Sequence, residues 1–368
     1  MRVLVLSAYA ARSHRYWQAR LRDMVPDWGW SELNLPPRHF SWRMRGNPLV
    51  WGLDHRPVLE APHDLLIATS MVDLATLRGL VPSLSAIPSL LYFHENQFDY
   101  PQDRQKHSLL DAQMVSLYSA LAADRIAFNS SWNRDSFLTG VDALLTRLPD
   151  LVPTGVVDAL AGKACVLPVP LAVSDPAVSP QWPGRPGALP ERPLRILWSA
   201  RFEHDKGGDG LLRILERLDL PFELALTGEQ FRESPPAFEE IRRRFAAHIV
   251  QFGFLDSLSD FRALQAGADL VLSTALHEFQ GLAVLEGVYA GGLPVVPDRL
   301  AYREMYSEAF RYRSCPDDPE AEAAAAVNLI QGLAVQLAQG TASPVSVEGY
   351  SLEALAQDYR RELTALAG

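Results

Sequence analysis

The sequence predicts an α/β protein made of two doubly wound, parallel-sheet domains, and three observations predict it. Short apolar runs alternate with helix-compatible segments along nearly the whole chain. The runs are continuously apolar, as in strands buried on both faces, where every side chain meets a covering helix. A stretch dense in Pro and Gly then divides them into two series. At 368 residues, with 48% hydrophobic and 21% charged, the chain exceeds a usual single domain and carries apolar material for two cores.

In the first series the predicted strands are residues 3–6, 65–68, 90–93, 126–128 and 166–169. In the second they are 195–198, 222–226, 249–254, 270–272 and 293–296. Gly, Ser, Asn or Pro closes each run, and segments such as 105–123, 210–218 and 236–247 suit the helices between them. Strand–helix alternation of this kind gives Rossmann-like sheets. The predicted domains are residues 1–175 and 194–349. They are joined by a linker at 176–193 that holds prolines 176, 180, 183, 186, 190 and 193 with Gly184 and Gly187. The last segment places Leu352, Leu355, Tyr359, Leu363 and Leu366 at helical spacing, so a helix over 350–368 packs its stripe near the first domain. Two such domains facing a central cleft bind ligand at their strand C-termini.

The formal charge of -10 argues against a bulk polyanion binder, but its distribution is uneven. Residues 1–60 hold nine arginines against five carboxylates, a local +4, which leaves -14 on the other 308 residues. Arginine suits phosphate forks and base stacking. Cys165 and Cys315 form no zinc or disulfide pattern, which is the usage of a reducing, cytoplasmic compartment. No apolar run is long enough for a signal segment or a membrane span.

The chemistry concentrates in His277-Glu278-Phe279-Gln280-Gly281-Leu282-Ala283-Val284-Leu285-Glu286, after one predicted strand and opening a helix. Glu278 precedes the helix N-terminus, where free N–H groups gather, and Glu286 sits about one and a half turns inside. Alone, the pair also reads as a dipole partner and a solvated charge. Upstream, Arg201 and Lys206 lie five apart in a loop that ends in Gly207-Gly208, able to converge on a diphosphate. Phe252-Gly253-Phe254 closes a strand between the two segments.

That order resembles the nucleotide-sugar domain of GT-B retaining glycosyltransferases of the family 4 type, over residues 194–310. The resemblance implies that Arg201 and Lys206 hold the donor diphosphate and that Glu278 contacts the transferred sugar. Backbone at Phe279, Gln280, Gly281 and Leu282 adds donors, Glu286 grips the ribose, and Phe252, Gly253 and Phe254 border the base. It implies no cofactor and no metal, because the cations and the helix dipole take the leaving-group charge.

In the first half, Leu91-Tyr92-Phe93-His94-Glu95-Asn96-Gln97-Phe98-Asp99-Tyr100-Pro101 closes a strand with four consecutive polar side chains. Residues 36–46 interleave Arg38, His39, Arg43 and Arg45 with Phe40 and Trp42. Such a stretch can meet phosphates while stacking on a base, and a solvated loop with an anchored Trp is the bland alternative. These segments stand with Phe128-Asn129-Ser130, Arg134-Asp135-Ser136-Phe137, Phe231-Arg232-Glu233 and Thr274-Ala275-Leu276-His277-Glu278-Phe279-Gln280-Gly281. Together they resemble the tRNA-queuosine alpha-mannosyltransferase family over nearly the whole chain. The resemblance implies retaining transfer of mannose from GDP-mannose to the queuosine cyclopentene-diol in the anticodon of tRNA(Asp). It places His94 against the donor sugar and assigns Ser13, His14, Arg38, His39, Trp42, Arg43, Arg45, Glu95, Asn96 and Gln97 to the acceptor. No membrane and no obligate protein partner is implied. Where the family carries Gly-Gly in its first loop, this chain carries Ala10-Ala11. A polysaccharide, lipid or small-molecule acceptor is the alternative.

Overall fold

The computed structural model describes residues 1–99, 109–172, 179–230 and 234–368. The chain forms two units, Met1–Pro170 with Tyr350–Gly368, and Leu171–Gly349.

The first unit is built on six parallel strands: β1 (Arg2–Ser7), β2 (Gly29–Asn34), β3 (Leu65–Thr69), β4 (Ser89–Phe93), β5 (Arg125–Phe128) and β6 (Ala164–Val166). Their order is β2-β1-β3-β4-β5-β6, so the winding direction reverses at β1 and β3. All residues of β3 and β4 are buried, which explains their unbroken apolar runs. Strand β2 is at the edge and only partly buried, and its sequence GWSELN has no apolar run to announce it. The strand expected at 166–169 occupies Ala164–Val166 instead, since Pro168 and Pro170 have no N–H for a ladder.

The second unit holds β7 (Leu194–Ser199), β8 (Phe222–Thr227), β9 (Ile249–Phe252), β10 (Leu270–Leu272), β11 (Leu293–Pro297) and β12 (Arg311–Tyr312), in the order β12-β11-β10-β7-β8-β9. Counted from its own first strand this is the dinucleotide-fold order 3-2-1-4-5-6, with the switch between β7 and β10. Strand β9 stops at Phe252, short of the expected 254, because Gly253 turns away at φ +91°.

Helix Pro236–Arg244 ends before the expected 247, with Arg242, Arg243 and Arg244 at its negative end. Helix Leu109–Ala122 lies within the segment expected at 105–123, of which 105–108 fall outside the described residues. The Pro-rich stretch expected to link the domains is fastened to the second unit where it is described. Gln181 N donates to Ala263 O at 2.9 Å, Trp182 Nε1 to Glu223 at 2.8 Å, and Arg192 forks onto Asp269 at 2.6 and 2.7 Å. Residues 176–178 of that stretch, with 173–175 before it, fall outside the described residues.

One finding corrects the reading that no stretch could span a bilayer. Helix Pro319–Gln339 is long and apolar enough by length and composition. It places Ala323, Ala326, Val327, Ile330 and Leu333 in the core of the second unit. The last helix, Leu352–Ala367, is capped by the Ser351 hydroxyl and buries Leu355, Tyr359 and Leu363 in the first unit.

Candidate active site

In the second unit, the loops that follow β7 and β10 meet at the switch point. The turn His204–Lys206 leads through Gly207, at φ +72°, into helix Gly208–Arg217. A Cβ on Gly207 would collide with Thr274 O, so glycine is what lets the two loops close on each other. Asp205 O accepts from Leu276 N and His277 N at 2.8 and 3.1 Å. The Thr274 hydroxyl donates to Lys206 O at 2.9 Å and accepts from Trp198 Nε1 at 3.0 Å. On the far side, Arg299 donates from Nε to Ala275 O at 3.0 Å while its guanidinium forks onto Glu322 at 3.0 and 2.9 Å.

This zipper delivers Lys206 and Glu278 to one place. Lys206 Nζ lies 3.2 Å from Glu278 Oε2, 3.1 Å from Asp205 Oδ2 and 3.1 Å from His277 O. Burial alone lowers the ammonium pKa, but the two carboxylates outweigh it and hold Lys206 above its usual range. Burial likewise pushes Glu278 up, but Lys206 and the Gly281 backbone N–H prevail and hold it below the carboxylate range. Glu278 Oε1 also accepts from Phe279 N at 3.1 Å. Burial and then the Lys206 charge press the His277 imidazole down to about 4. A small cavity opens here, bordered by Ser199, Ala200, Lys206, Ala275, Glu278 and Gly281. One cation at a loop crossing under a helix start is chemistry for an anionic, hydroxyl-rich ligand.

The remaining donor residues surround this point. Gly281 caps helix Leu282–Tyr289 in the left-handed region at φ +74°, and a Cβ there would lie 2.7 Å from the Tyr302 ring. Tyr302 in turn meets Ser273 Oγ at 2.8 Å. Phe279 and Gln280 are buried, Leu282 and Glu286 partly so. Arg201 is exposed and pairs with Glu203 at 3.0 Å. Phe252 faces the core under the Arg242 guanidinium, 5.2 Å from the ring centroid, whereas Phe254 is exposed. The sequence assigns no role to Asp205, Arg299 and Tyr302, and Thr274 stands there only as the head of a segment that carries the resemblance. Asp205 had a local signal, as a carboxylate next to the lysine.

In the first unit, His94 follows β4 and is buried. Its ring stacks on His14 at 4.1 Å and 19°, and meets Trp17 and Tyr92 at steep angles, 5.0 Å and 4.7 Å away. Burial, then the neighbouring His14, drives its pKa well below the usual histidine value. His94 Nε2 has no hydrogen-bond partner among the described residues. His14 is placed by Ser7 Oγ, 3.3 Å from Nδ1, and Glu95 Oε2, 3.6 Å from Nε2. An asparagine relay fixes the loop. Asn129 donates to His94 O at 2.9 Å, Asn133 to Phe93 O at 3.0 Å, and Asn96 to Asn133 Oδ1 at 2.9 Å.

Asn96 is wholly buried, and its own Oδ1 accepts from Phe98 N and Asp99 N at 2.9 and 3.0 Å. Packing therefore accounts for that asparagine, since a buried amide needs every partner it can find. Gln97 is also buried, with its carbonyl taking a bond from Gln113. Ser13 is exposed, and Ala10 is buried with its N–H bonded to Leu35 O, so the first loop is closed by packing. Tyr100 and Pro101, with the segment Phe231-Arg232-Glu233, lie outside the described residues.

The arginine-rich stretch forms helix Phe40–Leu49, entered through His39 at φ +56°. Arg38, His39, Trp42 and Arg45 are exposed. The Trp42 ring lies over Gly46, where a Cβ would meet ring carbons at 2.7–2.8 Å, and the indole remains 51% exposed. Arg43 Nε donates to Pro36 O at 3.2 Å, and Arg45 pairs with the buried Asp73 at 3.0 Å. Among the described residues no group of three or more His, Cys, Asp or Glu could hold a metal ion.

Comparison with known proteins adds sequence to this geometry. Residues 2–171 match the family model described as tRNA-queuosine alpha-mannosyltransferase N-terminal, and residues 193–332 match the glycosyl transferases group 1 model. A tRNA-queuosine alpha-mannosyltransferase of Drosophila melanogaster is 32% identical over 321 residues, covering 85% of this chain and 83% of that protein. Among solved structures, HepE of Anabaena in complex with UDP and glucose superposes with a TM-score of 0.67. It is 13% identical and covers 99% of this chain and 100% of its own. The sucrose-phosphate synthase of Thermosynechococcus elongatus gives 0.64 at 14% identity, covering 100% and 96%. At these identities the structural neighbours show the shared GT-B fold alone.

Proposed function

The chain belongs to the tRNA-queuosine alpha-mannosyltransferase family, and from that premise we propose that it moves mannose from GDP-mannose to the cyclopentene-diol of queuosine in the anticodon of tRNA(Asp), with retention of configuration. The observation that supports this most is the convergence of Lys206 and Glu278 at the switch point of the second unit. Lys206 carries a fixed positive charge there, and with Arg201 it takes up the diphosphate of the donor. Glu278, ionised and tied to the helix start, accepts from hydroxyls of the transferred sugar, and Glu286 binds the ribose. The backbone at Phe279, Gln280, Gly281 and Leu282 supplies N–H donors, and the base lies against Phe252, Gly253 and Phe254.

The transfer proceeds on one face of the sugar. The bond from the anomeric carbon to the β-phosphate oxygen breaks, and the bond to the acceptor oxygen forms on the same side. The departing phosphate oxygen takes the acceptor proton, so GDP leaves with atoms and charge balanced. Neutral His94 offers Nε2 to a sugar hydroxyl, while Arg201, Lys206 and the helix dipole stabilise the leaving diphosphate. No protein carboxylate has to act as acid and base, and the protein itself needs no metal or cofactor. Arg38, His39, Trp42, Arg43 and Arg45 meet the tRNA, with Ser13, His14, Glu95, Asn96 and Gln97 framing the acceptor side of His94.

The test is incubation with GDP-mannose and tRNA that carries queuosine, followed by nucleoside mass analysis. The expected result is a gain of one hexose on queuosine. Transfer to a polysaccharide, lipid or small-molecule acceptor with none to queuosine would overturn the reading.

A further inference from the structure

The last helix, Leu352–Ala367, carries one hydroxyl into the interior of the first unit. Tyr359 is fully buried, and its oxygen accepts from Trp17 Nε1 at 3.0 Å across 342 positions of sequence. The same hydroxyl lies 3.1 and 3.0 Å from the carbonyls of Leu167 and Pro168, to which it can donate. Tyr92 gives its own proton to Leu167 O at 2.7 Å and stands 3.4 Å from the Tyr359 oxygen. Both halves of the phenol's hydrogen-bonding capacity are thus used.

What these bonds hold is the wall of His94. Trp17 and Tyr92 stack on each other at 4.0 Å and 25°, and both rings meet His94 at steep angles while His14 covers its other side. Each ring is locked at its polar tip, Trp17 by Tyr359 and Tyr92 by Leu167 O. His94 is 6% exposed, and Nε2 is left without a partner among the described residues. A buried nitrogen left open between rings locked in this way is free to accept from a ligand.

We propose that Tyr359 is a positioning residue of the transfer reaction, locking Trp17 and Tyr92 so that His94 Nε2 keeps the orientation that meets the transferred sugar. This rests on the reading of His94 as a sugar-orienting group. The titratable groups around His94 are His14 from helix Arg12–Met24, Glu95 in its own loop, Tyr92 on β4 and Tyr359, with Cys165 of β6 near the two phenols.

Tyr359→Phe keeps the ring and removes only the hydroxyl. Expected is a roughly tenfold fall in kcat with donor KM within about twofold, the mark of lost alignment rather than lost affinity. The acidic limb of the kcat profile moves to higher pH, because a loosened wall lets water reach His94. Trp17→Phe breaks the same bond from its other end and shifts the limb alike. The double variant is no worse than the worse single, as for two ends of one interaction. A lowered melting temperature with kcat and acidic limb unchanged overturns the proposal, as do additive single effects. Near-normal activity of His94→Gln overturns the reading beneath it, whereas an impaired His94→Gln beside a normal Tyr359→Phe overturns this inference alone.

Discussion

In the second unit a buried cation is held by two carboxylates, Asp205 and Glu278, at the crossing of two loops. In the first, aromatic rings hold each other, with His94 boxed in by His14, Trp17 and Tyr92. The charged cluster keeps its ionisation because Lys206 and Glu278 hold each other in the charged form, with Asp205 adding to the hold on Lys206. His94 stays neutral within its ring cluster because burial expels charge. One site should fail on losing a charge, the other on gaining one.

The largest break in that comparison comes from Lys206→Ala or Glu278→Ala. Each lowers turnover by about 100- to 1000-fold, the scale of losing a preorganised electrostatic partner. Circular dichroism should show the fold retained, and near-normal rates in both would remove the site.

Acid sharpens the contrast next. His94 and His277 have folded pKa values below the unfolded value of about 6.5. Below that pH the unfolded chain takes up protons that the folded chain refuses, so stability falls as pH drops from 6.5, and for His277 it levels off near 4. At about 1.4 kcal/mol per pH unit, His277 alone accounts for roughly 3 kcal/mol. Glu278 has the same sense in a lower window: its folded pKa is depressed, so its contribution is present above the unfolded carboxylate value and is lost as pH falls through the folded one. Urea melts at pH 7, 5.5 and 4.5 check this, and His277→Gln should flatten its share of the slope.

Gly207→Ala probes the loop crossing by shape alone. Left-handed backbone and the collision with Thr274 O together cost about 2 kcal/mol or more, read as a lower melting temperature.

The smallest effects belong to the arginine-rich stretch 36–46 of the first unit. Arg38→Ala should lower the salt slope of tRNA binding by about 0.7–0.9, the release of one counterion. Trp42→Ala should weaken binding by about 1–3 kcal/mol with the slope unchanged, because stacking releases none. A slope change in Trp42→Ala would place that ring away from the bases.

Local patterns made much of this legible. The continuous apolar runs marked ten strands, although two of them end early, one ahead of Pro168 and Pro170 and the other at Gly253. Strands β2 and β12 stayed hidden, one partly exposed at a sheet edge and the other two residues long. Lys206 and Glu278 stood out because each lies in a loop with its own glycines, but their separation of 3.2 Å was not in the pattern. The polar run 94–97 shows the limit most plainly. Four adjacent polar side chains resemble a ligand surface, yet Asn96 faces Asn133, 37 positions on, and serves the loop.

Sequence by itself determined the two-sheet architecture, the positions of the charged and histidine-bearing loops, and the basic bias of residues 1–60, because periodicity, glycine placement and charge are local properties. Tertiary structure alone decided which side chains share a site. Asp205 joins Lys206 and Glu278, and Tyr359 closes over Trp17, because parallel strands bring distant loops to one sheet end and a helix from the end of the chain returns to its beginning.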